Sequence, residues 1–211
     1  MDLALFDFDG TITTTDTWTP FMRLAVRPAR ILAGQVFLSP IVIGYRLGMV
    51  SASTGRLVAA RIGFQGADAE TMHRLGVEYA ADVLPAKVRP SALERIAWHR
   101  SRGDDVVIVS ASLDLYLAPW SASQGLDCIC ATLEERGGRL TGRYIGGDCS
   151  GREKVRRIRR RYDLGRYDTV YAYGDSGEDR EMLELAHKKY YRWKEIAGWD
   201  DVTSYSHPSE V

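Results

Sequence analysis

Three short apolar runs in this chain each break off at a polar tip. Leu3-Ala4-Leu5-Phe6 runs into Asp7, Val106-Val107-Ile108-Val109 into Ser110, and Thr169-Val170-Tyr171-Ala172-Tyr173 into Gly174-Asp175-Ser176. Near-continuous strands of this kind, each followed by a helical pattern, require a parallel sheet covered on both faces. The expected fold is therefore α/β, a doubly wound parallel sheet. Ligands in such sheets bind outside the carboxyl ends of the strands, so the three polar tips should converge in one crevice. The first tip, FDFDGTITTTDT (6–17), carries two aspartates spaced two apart. In extended chain Asp7 and Asp9 share a face, and carboxylates packed together need a cation or a shared proton. A solvated Asp-Gly turn is the ordinary alternative.

The connecting helices are legible. SALERIAWHRSRG (91–103) has apolar positions at Leu93, Ile96 and Ala97 and stops at Gly103, and SLDLYLAPWSASQG (112–125) reads as a helix capped by Ser112 and ended by Gly125. Residues 127–145 read as two strands around Gly137-Gly138. Residues 16–85 lack strand–helix alternation and read as a run of helices ending near Pro85, with Asp68 capping the last. The expected organisation is a core of residues 1–15 and 86–211, with 16–85 inserted after the first strand as a helical cap.

Charge excludes some functions. Lys+Arg and Asp+Glu both total 28 in the 211 residues, so no overall field points to nucleic acid or an anionic membrane. Cys128, Cys130 and Cys149 form no close C-x-x-C pair and read as reduced thiols of a cytoplasmic protein. The N-terminus enters a charged strand-turn directly, so no signal peptide is expected. Residues 31–50, ILAGQVFLSPIVIGYRLGMV, carry Arg46 as their one charge, after fifteen uncharged residues interrupted by Pro40. A spanning helix needs about twenty apolar residues. The segment is expected to be a helix packed within the cap or lying against a membrane surface, not a span.

The stretch CSGREKVRRIRRRY (149–162) reads as a helix with Val155, Ile158 and Tyr162 on its core face and Ser150 as its cap. Arg152 and Lys154 in its first turn oppose the macrodipole unless an anion binds there, whereas most of the seven basic residues from 152 to 161 read as a solvated face.

FDFDGT, IVSAS, the lysine of GREK and GDSGED, in that order, resemble the four motifs of the haloacid dehalogenase superfamily of phosphohydrolases. The likeness spans nearly the whole chain. It is strongest to the branch containing phosphoserine phosphatase, which also has a helical cap after the first strand and a stretch similar to TLEERGGRLTGRYIGGDCSGREK (132–154). The resemblance implies that Asp7 is the nucleophile that forms an aspartyl-phosphate, and that Asp9 is general acid and then base. It makes Ser110 a donor to a phosphoryl oxygen and Lys154 the cation beside the transferred group. It implies Mg²⁺ held by the Asp7 carboxylate, the Asp9 backbone carbonyl and Asp175, with Asp179 close by. Such all-oxygen ligation suits Mg²⁺.

Substrate contacts are expected from Thr11, Ser110 and Ala111. In that branch a glutamate nine residues after the nucleophile meets a substrate ammonium and a cap arginine meets its carboxylate. Here Asp16 stands at the glutamate's spacing and Arg61, in AARIGFQG (59–66), resembles the arginine. Asp16 is equally suited to capping a helix. The resemblance thus implies a Mg²⁺-dependent hydrolase of a small phosphorylated metabolite. Alternatives are a lipid phosphate phosphatase, to which the apolar 31–50 segment points, and a phosphotransferase using the same aspartyl-phosphate. A catalytically dead phosphate-binding protein is the rival of another class, and the intact Asp7, Asp9, Lys154 and Asp175 weigh against it.

Overall fold

The computed structural model describes residues 1–47 and 49–205, the side chains of part of residues 33–46 and of 203–205 excepted. β1 (Leu3–Phe6) is followed by α1 (Trp18–Ala25), α2 (Pro28–Arg46), α3 (Ala52–Phe64) and α4 (Ala69–Asp82). α5 (Pro90–Ser101), β2 (Asp105–Leu113), α6 (Asp114–Ser123) and β3 (Asp127–Ala131) come next. The chain continues through β4 (Leu133–Arg136), β5 (Arg139–Tyr144), α7 (Arg152–Arg161), β6 (Val170–Gly174) and α8 (Arg180–Leu185). It ends in β7 (Lys188–Tyr191), β8 (Lys194–Ile196) and α9 (Trp199–Tyr205).

The central sheet has the order β3-β2-β1-β6-β7-β8, with only β8 antiparallel to its neighbour. The four residues of β1 are wholly buried, as expected for a central strand covered on both faces. Phe6 lies in register with Ile108 on one side and Tyr173 on the other, so the three tips leave the sheet at one level. An aromatic stack crosses this part of the sheet, with ring centroids 4.2 Å apart for Phe6–Tyr173 and 4.8 Å for Tyr173–Tyr190. Contacts of this kind add about 0.5–1.5 kcal/mol each beyond burial.

Several local expectations are corrected. Ser112 does not cap a helix: β2 runs through Ser110, Ala111 and Ser112 to Leu113, its register against β3 shifting between Val109 and Leu113, and α6 begins only at Asp114. Ser150 is not the cap of α7. Gly151 holds that position at φ +53°, and the Ser150 hydroxyl donates to Asp148 instead. The 127–145 region divides in two. β3 joins the central sheet, whereas β4 and β5 form a separate hairpin turned by Gly137 and Gly138, both at positive φ.

That hairpin binds the connection between α3 and α4. Gly66 N–H donates to Leu140 O (2.8 Å), and Leu140 N–H to Ala67 O (2.9 Å). Asp68 caps α4 as expected, accepting from the Thr71 N–H. α2 runs as a helix through Pro40, with Leu32 and Ile43 exposed on it and Leu47 and Met49 exposed just beyond its end. The side chains of Pro40, Val42 and Arg46 lie outside the described residues. Among the described residues no helix is long and apolar enough to cross a membrane.

Candidate active site

The loop after β1 is shaped by a few local bonds. Asp7 continues the extended backbone (φ −67°, ψ 161°), its N–H held by Tyr173 O at 2.9 Å. The chain then turns tightly, with Thr13 N–H donating to Phe8 O (2.9 Å) and Gly10 N–H to Thr13 Oγ1 (3.3 Å). Gly10 sits at φ +78°, and a Cβ there would collide with the Asp175 carboxylate. Glycine is required at this position both for its backbone and for the approach of Asp175.

Lys154 is the polar centre of the site. It reaches in from α7 and is buried, with Nζ donating to Asp7 Oδ1 (2.6 Å) and Asp179 Oδ1 (2.5 Å). The other Asp179 oxygen accepts from Asp175 N–H, Ser176 N–H and the Ser176 hydroxyl, at 3.2, 3.1 and 3.0 Å. Thr11 Oγ1 donates to Asp175 Oδ1 (3.3 Å), so Thr11 orients an acidic side chain. Lys154 is held protonated: the two carboxylates outweigh the burial that pushes its pKa down. Burial, and then the Asp179 charge, push Asp7 well above the usual carboxylate range, against the pull of Lys154. Burial followed by Asp179 also raises Asp175.

One oxygen from each of Asp7, Asp175 and Asp179 lies within 4.8 Å of the others. Three carboxylates against one ammonium leave this cluster short of positive charge, and its donors are all oxygen. The residues therefore fit a hard divalent cation.

Asp9 is held from two sides. Its Oδ1 accepts from the Thr17 N–H (2.9 Å) and hydroxyl (2.6 Å), and its Oδ2 from the Ser112 hydroxyl (2.5 Å). Tyr116 donates to Ser112 Oγ (2.9 Å), and Thr17 Oγ1 also lies 3.2 Å from the Tyr116 hydroxyl. Burial pushes Asp9 up to about 6, with Ser112 and Thr17 opposing the rise. A carboxyl in that range can serve as both acid and base near neutrality.

These groups line a cavity of about 610 Å³ between the sheet ends and the helices α1–α3. Asp7, Asp9, Asp16, Ser110, Ala111, Lys154, Asp175 and Asp179 all line it, so the structure brings together most of the residues expected from sequence. Asp16 does two things at once: it borders the cavity, and its carboxylate accepts the N–H groups of Trp18 (3.0 Å) and Thr19 (3.1 Å) at the start of α1. Thr11 and Arg61 are not among the lining residues.

The Arg61 guanidinium donates instead to Thr141 O in the hairpin, because its side of α3 packs on β5. Arg56, about a turn and a half earlier on α3, faces the cavity. It pairs with Asp148 (2.7 Å) and Glu178 (2.7 Å), tying α3 to the loops before α7 and after β6. Sequence reasoning missed Arg56, Thr17, Ser112 and Tyr116. Ser112 had a signal, since it lies within IVSAS, but its capping pattern drew it to the wrong role.

The haloacid dehalogenase-like hydrolase profile matches residues 4–184. The chain belongs to the haloacid dehalogenase-like hydrolases. It is 34% identical over 194 residues to protein CicA of Caulobacter vibrioides, covering 90% of this chain and 85% of that protein. It is 24% identical over 195 residues to a histidinol-phosphatase of Neisseria meningitidis serogroup C, covering 87% and 86% respectively. A phosphoserine phosphatase solved as an analogue of its phospho-aspartyl intermediate shares the fold. The TM-score is 0.63 at 18% identity, over 96% of this chain and 97% of that one.

Proposed function

We propose that the chain is a Mg²⁺-dependent phosphomonoesterase that acts through an aspartyl-phosphate on Asp7, with a small phosphorylated metabolite as substrate. The observation that carries this reading is the buried Lys154 ammonium bound to both Asp7 and Asp179 at the ends of the central strands. In the first step an Asp7 oxygen bonds to phosphorus, the ester P–O bond breaks, and Asp9 gives its proton to the leaving oxygen. In the second step Asp9 takes a proton from the water whose oxygen bonds to phosphorus, the Asp7 O–P bond breaks, and inorganic phosphate leaves with the Asp7 carboxylate restored.

Ser110 donates to a phosphoryl oxygen and Ala111 borders the group. Lys154 neutralises charge that would otherwise repel the nucleophile. Asp7, the Asp9 carbonyl and Asp175, with Asp179 beside them, would hold Mg²⁺, which would supply the remaining charge stabilisation. Asp16 borders the cavity, and Arg56 rather than Arg61 is the α3 arginine that lines it, paired there with Asp148 and Glu178. Free thiols at Cys128, Cys130 and Cys149 fit a cytoplasmic setting. The exposed Leu32, Ile43, Leu47 and Met49 support peripheral contact with a membrane surface, which liposome co-sedimentation tests.

The test of the activity is hydrolysis of p-nitrophenyl phosphate. The wild-type chain should turn it over with Mg²⁺ and stop on chelation. Asp7→Asn should be inactive with an unchanged circular dichroism spectrum, because an amide cannot form the acyl-phosphate. Wild-type turnover by purified Asp7→Asn would overturn the mechanism.

A further inference from the structure

Behind Asp9 lies a layer of buried hydroxyls that does not border the cavity. Ser112 and Thr17 each direct a hydroxyl proton at the Asp9 carboxyl, at 2.5 and 2.6 Å. Both residues are buried, and neither lines the cavity. A hydroxyl has one proton, so once it donates to Asp9 it can only accept from anything else. The Tyr116 phenol meets both oxygens, Ser112 Oγ at 2.9 Å and Thr17 Oγ1 at 3.2 Å. Its proton is therefore the donor behind both. Burial, and then the Asp9 charge, hold the phenol well above its ordinary pKa, which keeps that proton in place.

The phenol is itself fixed by the inserted helices. Tyr116 is wholly buried on α6, its ring centroid 4.8 Å from that of Phe21 in α1 and 5.3 Å from that of Tyr79 in α4. The Tyr79 hydroxyl bonds elsewhere, to Thr17 O (3.0 Å). Asp9 Oδ1 accepts two bonds from Thr17, whereas Oδ2 accepts one from Ser112. Oδ2 thus keeps a lone pair for the proton that goes to the leaving oxygen.

We infer that Tyr116 is a positioning residue for Asp9: its phenol fixes the Ser112 and Thr17 protons on the carboxyl and so aims Oδ2 at the leaving oxygen. The inference rests on the phosphatase reading with Asp9 as general acid. It makes the alignment of that acid depend on the packing of α1 and α4 against α6.

Any buried phenol needs hydrogen-bond partners, so lost stability alone does not separate positioning from packing. Dependence on the leaving group does, because a general acid helps most when the leaving oxygen is strongly basic. The full chain with Mg²⁺ is assayed on p-nitrophenyl, phenyl and ethyl phosphate, comparing kcat/KM, which spans the steps through loss of the alcohol. Tyr116→Phe should lower it by about three- to tenfold for phenyl and ethyl phosphate, and by less than about twofold for p-nitrophenyl phosphate. Ser112→Ala, which takes away the nearer acceptor of the phenol, should likewise hurt the poorer leaving groups most. Tyr79→Phe removes a buried hydroxyl from the same cluster without touching Ser112, and should lower all three substrates by one factor. An equal loss on all three with Tyr116→Phe, or none, overturns the proposal. The same leaving-group dependence in Tyr79→Phe also overturns it, by assigning the effect to the packing of the cluster. Failure of the underlying reading shows separately, as absent p-nitrophenyl phosphate turnover by the wild-type chain or as an Asp9→Asn loss that is equal on all three substrates.

Discussion

At the residue scale, Asp9 depends on donors from two elements far apart in sequence: Thr17 at the start of α1, and Ser112 at the end of β2. A general acid must present one oxygen to the leaving group, and three donors on its two oxygens decide which rotamer it keeps. Ser112 can be replaced by alanine without overpacking, although the Tyr116 hydroxyl then loses that acceptor. A hydrogen bond to a charged group is worth about 1.5–3 kcal/mol, so Ser112→Ala should lower kcat by about 10- to 100-fold. Steady-state kinetics checks this, and the unfolding curve should shift as well, because Asp9 and the Tyr116 hydroxyl each lose a buried partner. An unchanged kcat would mean that Ser112 does not position Asp9.

At the element scale, the turn between β7 and β8 matters more than its peripheral place suggests. Arg192 (φ 49°) and Trp193 (φ 65°) both occupy the left-handed region, which side-chain-bearing residues seldom adopt. The strain is held by bonds back to the catalytic loops: Trp193 Nε1–H donates to Thr11 O (3.2 Å) and Arg192 Nε–H to Asp175 O (3.1 Å). Trp193 also packs on Tyr173, with centroids 5.7 Å apart. Trp193→Phe keeps an aromatic ring but deletes the N–H donor and part of the indole surface. The lost bond alone should cost about 0.5–1.5 kcal/mol in a urea unfolding measurement, and the lost packing adds to it. Turnover should fall severalfold because Thr11 orients Asp175, and retention of full turnover would show that the turn does not support the site.

At the scale of the whole molecule, a buried polar cluster ties the far side of the fold together. His99 of α5 is wholly buried, with Nδ1 2.9 Å from Asp104 Oδ2 and Nε2 2.9 Å from the Tyr173 hydroxyl. The carboxylate can only accept, so Nδ1–H donates to it, and the neutral ring accepts from Tyr173 through Nε2. Burial pushes the imidazole below its ordinary value, and the bond to Asp104 only partly opposes this. In the unfolded chain His99 takes up its proton near pH 6.5, while in the folded chain it resists. The unfolded state then binds more protons, so stability should fall as pH drops below about 6.5, by up to about 1.4 kcal/mol per pH unit. Asp104, held low chiefly by its bond to His99, titrates below this window. Urea midpoints between pH 5 and 7 should show the slope in the wild-type chain and lose much of it in His99→Gln. Equal slopes would assign the pH dependence to other groups.

The sequence by itself determined the central strands and the positions of Asp7, Ser110, Lys154 and Asp175. Continuous apolar runs and their polar ends are local patterns, and burial on both faces of a parallel sheet leaves them few other solutions. Their convergence follows from the register of β1 with β2 and β6, which those runs also imply. The short, polar β7 and β8 carried no comparable pattern, since an edge pair need not be apolar. Partner choice was decided only in the tertiary structure. Arg56 and Arg61 are two arginines on one helix, and nothing local separates the one facing Asp148 and Glu178 from the one facing the hairpin. Ser112 likewise has the composition of a cap, yet the strand's extra length carries its hydroxyl to Asp9. Hydrogen bonds between residues about a hundred positions apart depend on how elements pack, and no local periodicity encodes that.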